Sequence, residues 1–273
     1  MNRSRAGGVS LLVALIMAGY ALFSYFGSQQ VNPTTGEKQH ITLTSQQEIA
    51  LGLQAAPQMA QEFGGLAQDE RGQALVDRVG QRIVAHSDAE RSPYRFEFHL
   101  LADPQTVNAF ALPGGQVFIT EGLLRKLNTE GELAGVLGHE VGHVIGRHSA
   151  EQLAKQNLTQ GLVGAIGVAT YDPNDPRSGQ TAALAAAVGQ LISMKFSRND
   201  ELEADKFGVK LMSEAGYDPR SMIRVMEILA SLSKQGRTPE FFSTHPNPEH
   251  RIPKIKAAIQ AVYPNGVPDG LQK

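Results

Sequence analysis

The chain has 273 residues, 41 % hydrophobic and 19 % charged, which suits one large globular domain or two small ones. A formal net charge of −2 argues against nucleic acid as a partner. The absence of cysteine excludes disulfides, thiolate metal ligands, a cysteine nucleophile and a lipid on an N-terminal cysteine, so any zinc must be held by His and carboxylates alone.

Arg3 and Arg5 precede an uncharged stretch from Val9 to Phe26. At 1.5 Å per residue this stretch reaches about 27 Å, just enough for the hydrocarbon core of a bilayer. Tyr20 and Tyr25 lie toward its far end, where interfacial aromatics belong. The expectation is a cytoplasmic N-terminus over residues 1–8, a single-pass signal anchor over 9–26, a polar linker over 27–40 and one domain over 41–273, outside the cytoplasm. The alternative is a signal peptide cleaved near Gly19-Tyr20-Ala21, which would leave an apolar Leu22-Phe23 start.

Thr44-Ser45-Gln46-Gln47 resembles a capping box that opens a helix running to Gly64-Gly65. A second helix is predicted over Asp69 to His86, from the spacing of Leu75, Val79 and Ile83. Tyr94 to Leu100 alternates as a strand, and Val107–Leu112 and Gln116–Thr120 flank Pro113-Gly114-Gly115 as in a hairpin. The rest reads as mostly helical. The Ala/Gly-rich stretch from Gly161 to Gly189 reads as a helical hairpin with a polar turn, or as a mobile lid or membrane-touching flap.

The most informative run is His139-Glu140-Val141-Gly142-His143. Two imidazoles four residues apart share one helix face and can bind one zinc ion, and the glutamate between them can act as general base toward a metal-activated water. Thr129 and Glu132 form a T-x-x-E start for this helix, which is predicted to run to about Gln156. Leu133, Val136, Leu137, Val141, Val144 and Ile145 form the adjoining apolar face. Gly131, Gly135, Gly138, Gly142 and Gly146 line the remaining side, at a propensity cost of about 1 kcal/mol each. Another backbone packed close against that side would offset the cost.

A catalytic zinc keeps three protein ligands and an open position. A third histidine close downstream is excluded by the residues after His143, and the best candidate lies at Ser197 to Asp205. Ser197 or Asn199 caps a helix ending at Gly216, on which Glu201 and Asp205 share a face. Glu201 can bind metal while Asp205 accepts the free ring N–H of a zinc-bound histidine. An acidic first turn stabilised by the helix dipole is the other reading of the same residues.

With these residues assembled, the chain resembles the membrane-associated zinc metallopeptidase family that includes the CAAX prenyl endopeptidase, HtpX and the Oma-type proteases. The resemblance rests on four motifs in the family's order. These are Asn108 to Leu124 around Pro113-Gly114-Gly115, then His139-Glu140-x-x-His143 with Arg147-His148, then Glu201-x-x-x-Asp205-x-x-Gly208, then Ser243-Thr244-His245-Pro246. It covers about residues 41–261. The single N-terminal span and short length look most like the bacterial LoiP/Oma-like members, although a lipid-acceptor cysteine is absent.

The resemblance implies an α+β, mainly helical, zincin-like domain with a small antiparallel sheet behind one N-terminal transmembrane helix. It implies one zinc per chain on His139, His143 and Glu201, with Asp205 behind them, Glu140 as general base, and protein or peptide substrates. His245, in the family's T-H-P motif, is implied either to stabilise the oxyanion or to plug the open zinc position. Asn108 and the strand after it can hold substrate by strand addition, or be an ordinary strand edge. Arg147 and His148 can pair with Asp205 or nearby carbonyls, or lie on the helix surface. His40, His86, His99 and His250 read as structural or exposed.

The expected function is endoproteolysis of misfolded or membrane-associated proteins at the bacterial inner membrane, with the catalytic domain on the periplasmic side. A freely periplasmic protein after signal cleavage is the alternative location. A latent, zinc-holding, chaperone-like or binding protein plugged by His245 is the second functional reading, and a small-molecule zinc hydrolase is a third.

Overall fold

The computed structural model describes residues 3–169, 191, 194–234, 239–245 and 251–273. Helix α1 (Arg3–Gly27) leads into strands β1 (Gln29–Val31) and β2 (Lys38–His40), followed by α2 (Ser45–Glu62) and α3 (Glu70–Ala85). Strands β3 (Glu97–Leu101), β4 (Ala109–Ala111) and β5 (Gln116–Thr120) precede the short α4 (Glu121–Leu124), the central α5 (Glu130–Ile145) and α6 (His148–Ala169). The chain closes with α7 (Arg198–Glu214), α8 (Ser221–Lys234), the single turn α9 (Phe241–Thr244) and α10 (Arg251–Val262). The architecture is mainly helical α+β, as expected. Residues 170–190, most of the Ala/Gly-rich stretch, and His250 lie outside the described residues.

The sheet corrects one expectation. Its order is β3-β5-β4, with β5 parallel to β3 and antiparallel to β4, so the sheet is mixed rather than antiparallel. The expected β4–β5 hairpin is present, and the long connection after β3 lets that strand pair in parallel with the other edge of β5, which becomes central. The strand expected from Tyr94 begins only at Glu97, although Tyr94 and Phe96 are still buried beneath it.

The predicted linker is instead a β-hairpin, β1 pairing antiparallel with β2. That hairpin explains a second correction. Helix α5 stops at Ile145 instead of running on to Gln156. The buried Asn32 amide donates to the Ile145 carbonyl at 2.8 Å, and the buried Gln39 amide donates to the Gly146 carbonyl. These side chains satisfy carbonyls that a helix end leaves without partners. The chain then turns through Arg147, the one described non-glycine residue with positive φ, at 56°. Its guanidinium is buried against the Glu48 carboxylate and donates to the Leu43 carbonyl at 2.9 Å.

Helix α1 packs along α6 with Ala21 against Gly161, and it turns Leu12, Leu15, Ile16, Tyr20, Phe23 and Phe26 outward. Small residues inside and large apolar residues outside invert the pattern of a water-soluble helix pair. Among the described residues no helix is long and apolar enough to cross a membrane, so the fold does not show the expected span.

Every residue of α5 from Gly131 to Ile145 is buried. Leu133, Val136, Leu137, Val141, Val144 and Ile145 join the main core with β3, β5 and the C-terminal helices. The glycine side has the close backbone neighbour that its composition called for. A Cβ on Gly138 would meet the Gly208 carbonyl at 3.4 Å, and one on Gly142 would meet the Ala204 carbonyl oxygen at 2.9 Å. A Cβ on Gly208 would in turn lie 3.1 Å from the His139 nitrogen. Two helices touch here backbone to backbone. Gly142→Ala is therefore expected to destabilise the fold by about 1–3 kcal/mol through overpacking. A thermal or urea melt of the metal-free variant checks this, and an unchanged midpoint would refute the close-approach account.

Candidate active site

Two well-capped helices carry the site. Thr129 accepts from the Glu132 N–H at 3.1 Å to start α5. Ser197 and Asp200 form a reciprocal capping box that starts α7. The glycine crossing lays Ala204 and Gly208 of α7 against Gly142 and Gly138 of α5. This brings Glu201 under His139 and His143, which lie more than fifty positions earlier in the chain.

The donor atoms converge. His139 Nε2 and His143 Nε2 are 3.1 Å apart, and the Glu201 carboxylate lies 3.6 Å from the first and 3.4 Å from the second. His245, which follows α9, adds its Nδ1 at 3.0 Å from Glu201 Oε1 and 3.4 Å from His139 Nε2. Four ligands bound about 2.0–2.1 Å from one ion at tetrahedral angles are separated by about 3.3 Å. The four donors, all within 4.8 Å of one another and all buried, match that array. The residues present therefore fit a tetrahedral metal ion. Among the sequence-derived candidates, His139, His143, Glu201 and His245 are brought together in one cluster.

Glu140, wholly buried, faces the cluster from α5. His245 Nε2 lies 3.7 Å from its Oε1, and neither carboxylate oxygen nor this ring nitrogen has a hydrogen-bond partner among the described residues. Burial raises the Glu140 pKa above the ordinary carboxylate range. Asp205 lies where the sequence reading expects it, its Oδ1 3.0 Å from His139 Nδ1. Asn108 is buried at the start of the β4 edge, and its side-chain oxygen has no partner among the described residues. It lines a cleft of about 170 Å³ together with Phe110, Met194, Phe196 and His245. A larger cavity of about 590 Å³ lies between α2 and the β3–β5 face, and no residue of the metal cluster lines it.

The electrostatics around the cluster are tightly paired. Arg251, on α10, is buried and donates to both Asp205 oxygens, at 2.8 and 2.6 Å. Its third nitrogen lies 3.1 Å from Glu201 Oε2. Burial disfavours the Asp205 carboxylate, yet Arg251 and His139 hold its pKa below the ordinary value. Burial likewise works against Glu201, but the three histidines keep it ionised well below its ordinary range. Burial also opposes charge on His139, and the hydrogen bonds it donates to Asp205 and Glu201 overcome it, lifting the pKa to about 9. For His143 burial wins and the pKa falls well below its ordinary value. Loading a metal must displace the His139 proton, so metal affinity rises with pH.

One residue escaped the sequence reading of this site, and a second, His148, was left between a pairing role and the helix surface. Arg251 is a lone arginine near a polar loop, and no local pattern marks it. His148 was read as possible helix surface, but it is buried against His143, their Nδ1 atoms 2.8 Å apart. Arg147 pairs with Glu48 rather than with Asp205, whose cation is Arg251.

A buried set of histidine and carboxylate donors of this shape, with an unpartnered glutamate facing it, places the chain among metalloproteases. Residues 70–259 match the model of peptidase family M48, and the chain belongs to that family. It is 32 % identical over 261 residues to the beta-barrel assembly-enhancing protease of Yersinia pestis, an alignment covering 93 % of this chain and 52 % of that protein. The corresponding Escherichia coli (strain K12) protease is 30 % identical over 260 residues, covering 94 % and 53 %. The mitochondrial metalloendopeptidase OMA1 of Schizosaccharomyces pombe is 34 % identical over 244 residues, covering 88 % and 69 %. The chain thus spans about half the length of the two beta-barrel assembly-enhancing proteases.

Replacing Arg251 by Met leaves Asp205 buried without its cation. The expected loss is about 3–5 kcal/mol in the metal-free protein, the usual result of breaking one side of a buried ion pair. Chemical denaturation at neutral pH measures it. A loss below about 1 kcal/mol would show the pair to be dispensable, as exposed pairs are.

Proposed function

We propose that the chain is a zinc endopeptidase acting on misfolded or membrane-associated proteins outside the cytoplasm. The observation that carries this reading is the tetrahedral donor array faced by the buried, unpartnered Glu140. His139, His143 and Glu201 would hold the ion, and all three ligand types are ones zinc accepts. Zinc there supplies a Lewis acid for the scissile carbonyl and lowers the pKa of the attacking water.

The chain's own residues do the remaining work. Asp205, held by Arg251, accepts the Nδ1–H of His139 and so presents Nε2 to the ion. Glu140 takes the proton from the attacking water and delivers it to the leaving amine. The edge strand β4 offers backbone groups to an extended peptide, and Asn108 lies at its start. The apolar wall of Phe110, Met194 and Phe196 favours a large apolar substrate side chain beside the scissile bond.

His245 acts as a plug in this reading. Its Nδ1 lies among the other three donors and would take the position that a catalytic site leaves open, a resting form in this reading. Substrate binding would then require the His245 side chain to leave the cluster. This feature also supports the alternative of a latent zinc-holding binding protein.

The site is anchored to the bacterial inner membrane, facing the periplasm, through α1. The uncharged Val9–Phe26 run and the outward large apolar side chains of α1 support this. The names of the relatives, which refer to beta-barrel assembly and to mitochondria, support an envelope or membrane setting for the substrates.

Casein cleavage by the purified protein tests the reading. Glu140→Gln is expected to lower the rate by about 10²–10⁴-fold while zinc stays bound. Chelation should abolish activity, and zinc should restore it. Full activity in Glu140→Gln would overturn the mechanism, and an inert wild type that holds zinc would favour the binding-protein alternative. His245→Ala separates the two roles of that residue. A plug predicts unchanged or higher activity, whereas an oxyanion-stabilising group predicts a loss of about 10²–10³-fold.

A further inference from the structure

His143 Nε2 points into the donor array, and its Nδ1 lies 2.8 Å from His148 Nδ1. His148 Nε2 is in turn 3.3 Å from Glu203 Oε2. The side chain of His148 is buried, at 1 % exposure, while that of Glu203 is 21 % exposed. Only one proton arrangement satisfies this chain with the His143 Nε2 lone pair free: His143 Nδ1–H donates to His148 Nδ1, and His148 Nε2–H donates to Glu203. His139 has the simpler version, in which Nδ1–H donates directly to Asp205.

We propose that His148 is a positioning residue for His143, fixing its tautomer and ring plane so that Nε2 faces the metal, with Glu203 holding His148. This rests on the reading of His143 as a zinc ligand.

The backbone is shaped for this contact. His148 is the first residue of α6, and the left-handed turn at Arg147 redirects the chain so that the imidazole folds back beside α5. A Cβ on Gly146 would lie 2.5 Å from His148 Nε2, so the space that the ring uses exists because residue 146 has no side chain. The turn is clamped by Asn32 and Gln39 of the β1–β2 hairpin, and Arg147 is pinned by Glu48. Neither the clamp nor the turn touches the donor array itself. His148 is the side chain through which this conformation reaches a proposed ligand.

Zinc affinity of the full chain, measured by competition with a chromophoric chelator at fixed pH, tests the proposal without recourse to activity. His148→Phe retains the ring volume but cannot accept a hydrogen bond. It should weaken zinc binding about 10–100-fold, the usual effect of losing an outer-shell partner. His148→Gln, whose amide oxygen can accept from His143 Nδ1–H, should recover most of that loss. Glu203→Ala, at a partly exposed position, should show a smaller loss of the same sign, and it decides the matter if His148→Phe does not fold. Wild-type affinity in His148→Phe, or in Glu203→Ala where only that variant folds, overturns the proposal. Equal weakness of His148→Gln and His148→Phe also overturns it, because a volume-filling role would then suffice. His143→Ala is the control for the underlying reading: if it binds zinc as wild type does, the zinc-site assignment itself fails.

Discussion

The contact on which the structure depends is the backbone-to-backbone crossing of α5 and α7 at Gly138, Gly142 and Gly208. Two helices with ordinary side chains at the contact pack with axes about 8–10 Å apart, and the short acidic side chains of α7 would then stand farther from the histidines. Removing three side chains closes that gap. Glu201 reaches the space between His139 and His143, and Asp205 reaches the back of His139. The glycines weaken α5 as an isolated helix, so α5 owes its stability to the core around it rather than to its own propensity.

That closeness creates an electrostatic problem, which the surrounding residues solve. Glu201, Asp205 and Glu140 are three buried carboxyls in a small volume. Each would resist ionisation alone. Arg251 balances Asp205 and borders Glu201, and the histidines stabilise Glu201 from the other side. Glu140 has no comparable partner among the described residues, so burial, with the nearby Glu201 charge, outweighs the neighbouring cations and raises its pKa. Neighbouring carboxyls on the same site are thereby driven apart, one group toward permanent charge and one toward exchangeable protons, as acid–base chemistry needs.

The N-terminal part of the chain is joined to this centre by hydrogen bonds rather than by a loose tether. Helix α1 runs into a hairpin whose two buried amides hold the end of the α5 helix, and Arg147 is locked between that hairpin and α2. Rigid support so close to the donors keeps His143 from drifting. On the opposite side, His245 caps the single-turn α9, and its backbone N–H donates to the Phe241 carbonyl.

Much of this was legible in the residues. The spacing of His139, Glu140 and His143 dictates a shared helix face because 3.6 residues make a turn, and the capping residues Thr44, Thr129 and Ser197 mark their helix starts through short-range hydrogen bonds. The glycine side announced a close neighbour without naming it. Other features depended on long-range contacts with no local pattern. The end of α5 at Ile145 comes from Asn32 and Gln39, more than a hundred positions earlier. The mixed sheet comes from β3 pairing in parallel with the free edge of β5, beyond the local β4–β5 hairpin. Arg251 acquires its partner only when α7 and α10 meet, and His148 reaches His143 only because the chain turns at Arg147. The sequence by itself determined the local chemistry, since helical periodicity and capping act within a turn or two. The tertiary structure alone decided which charge faces which and which donors converge, because those depend on burial and on distances that the chain order does not encode.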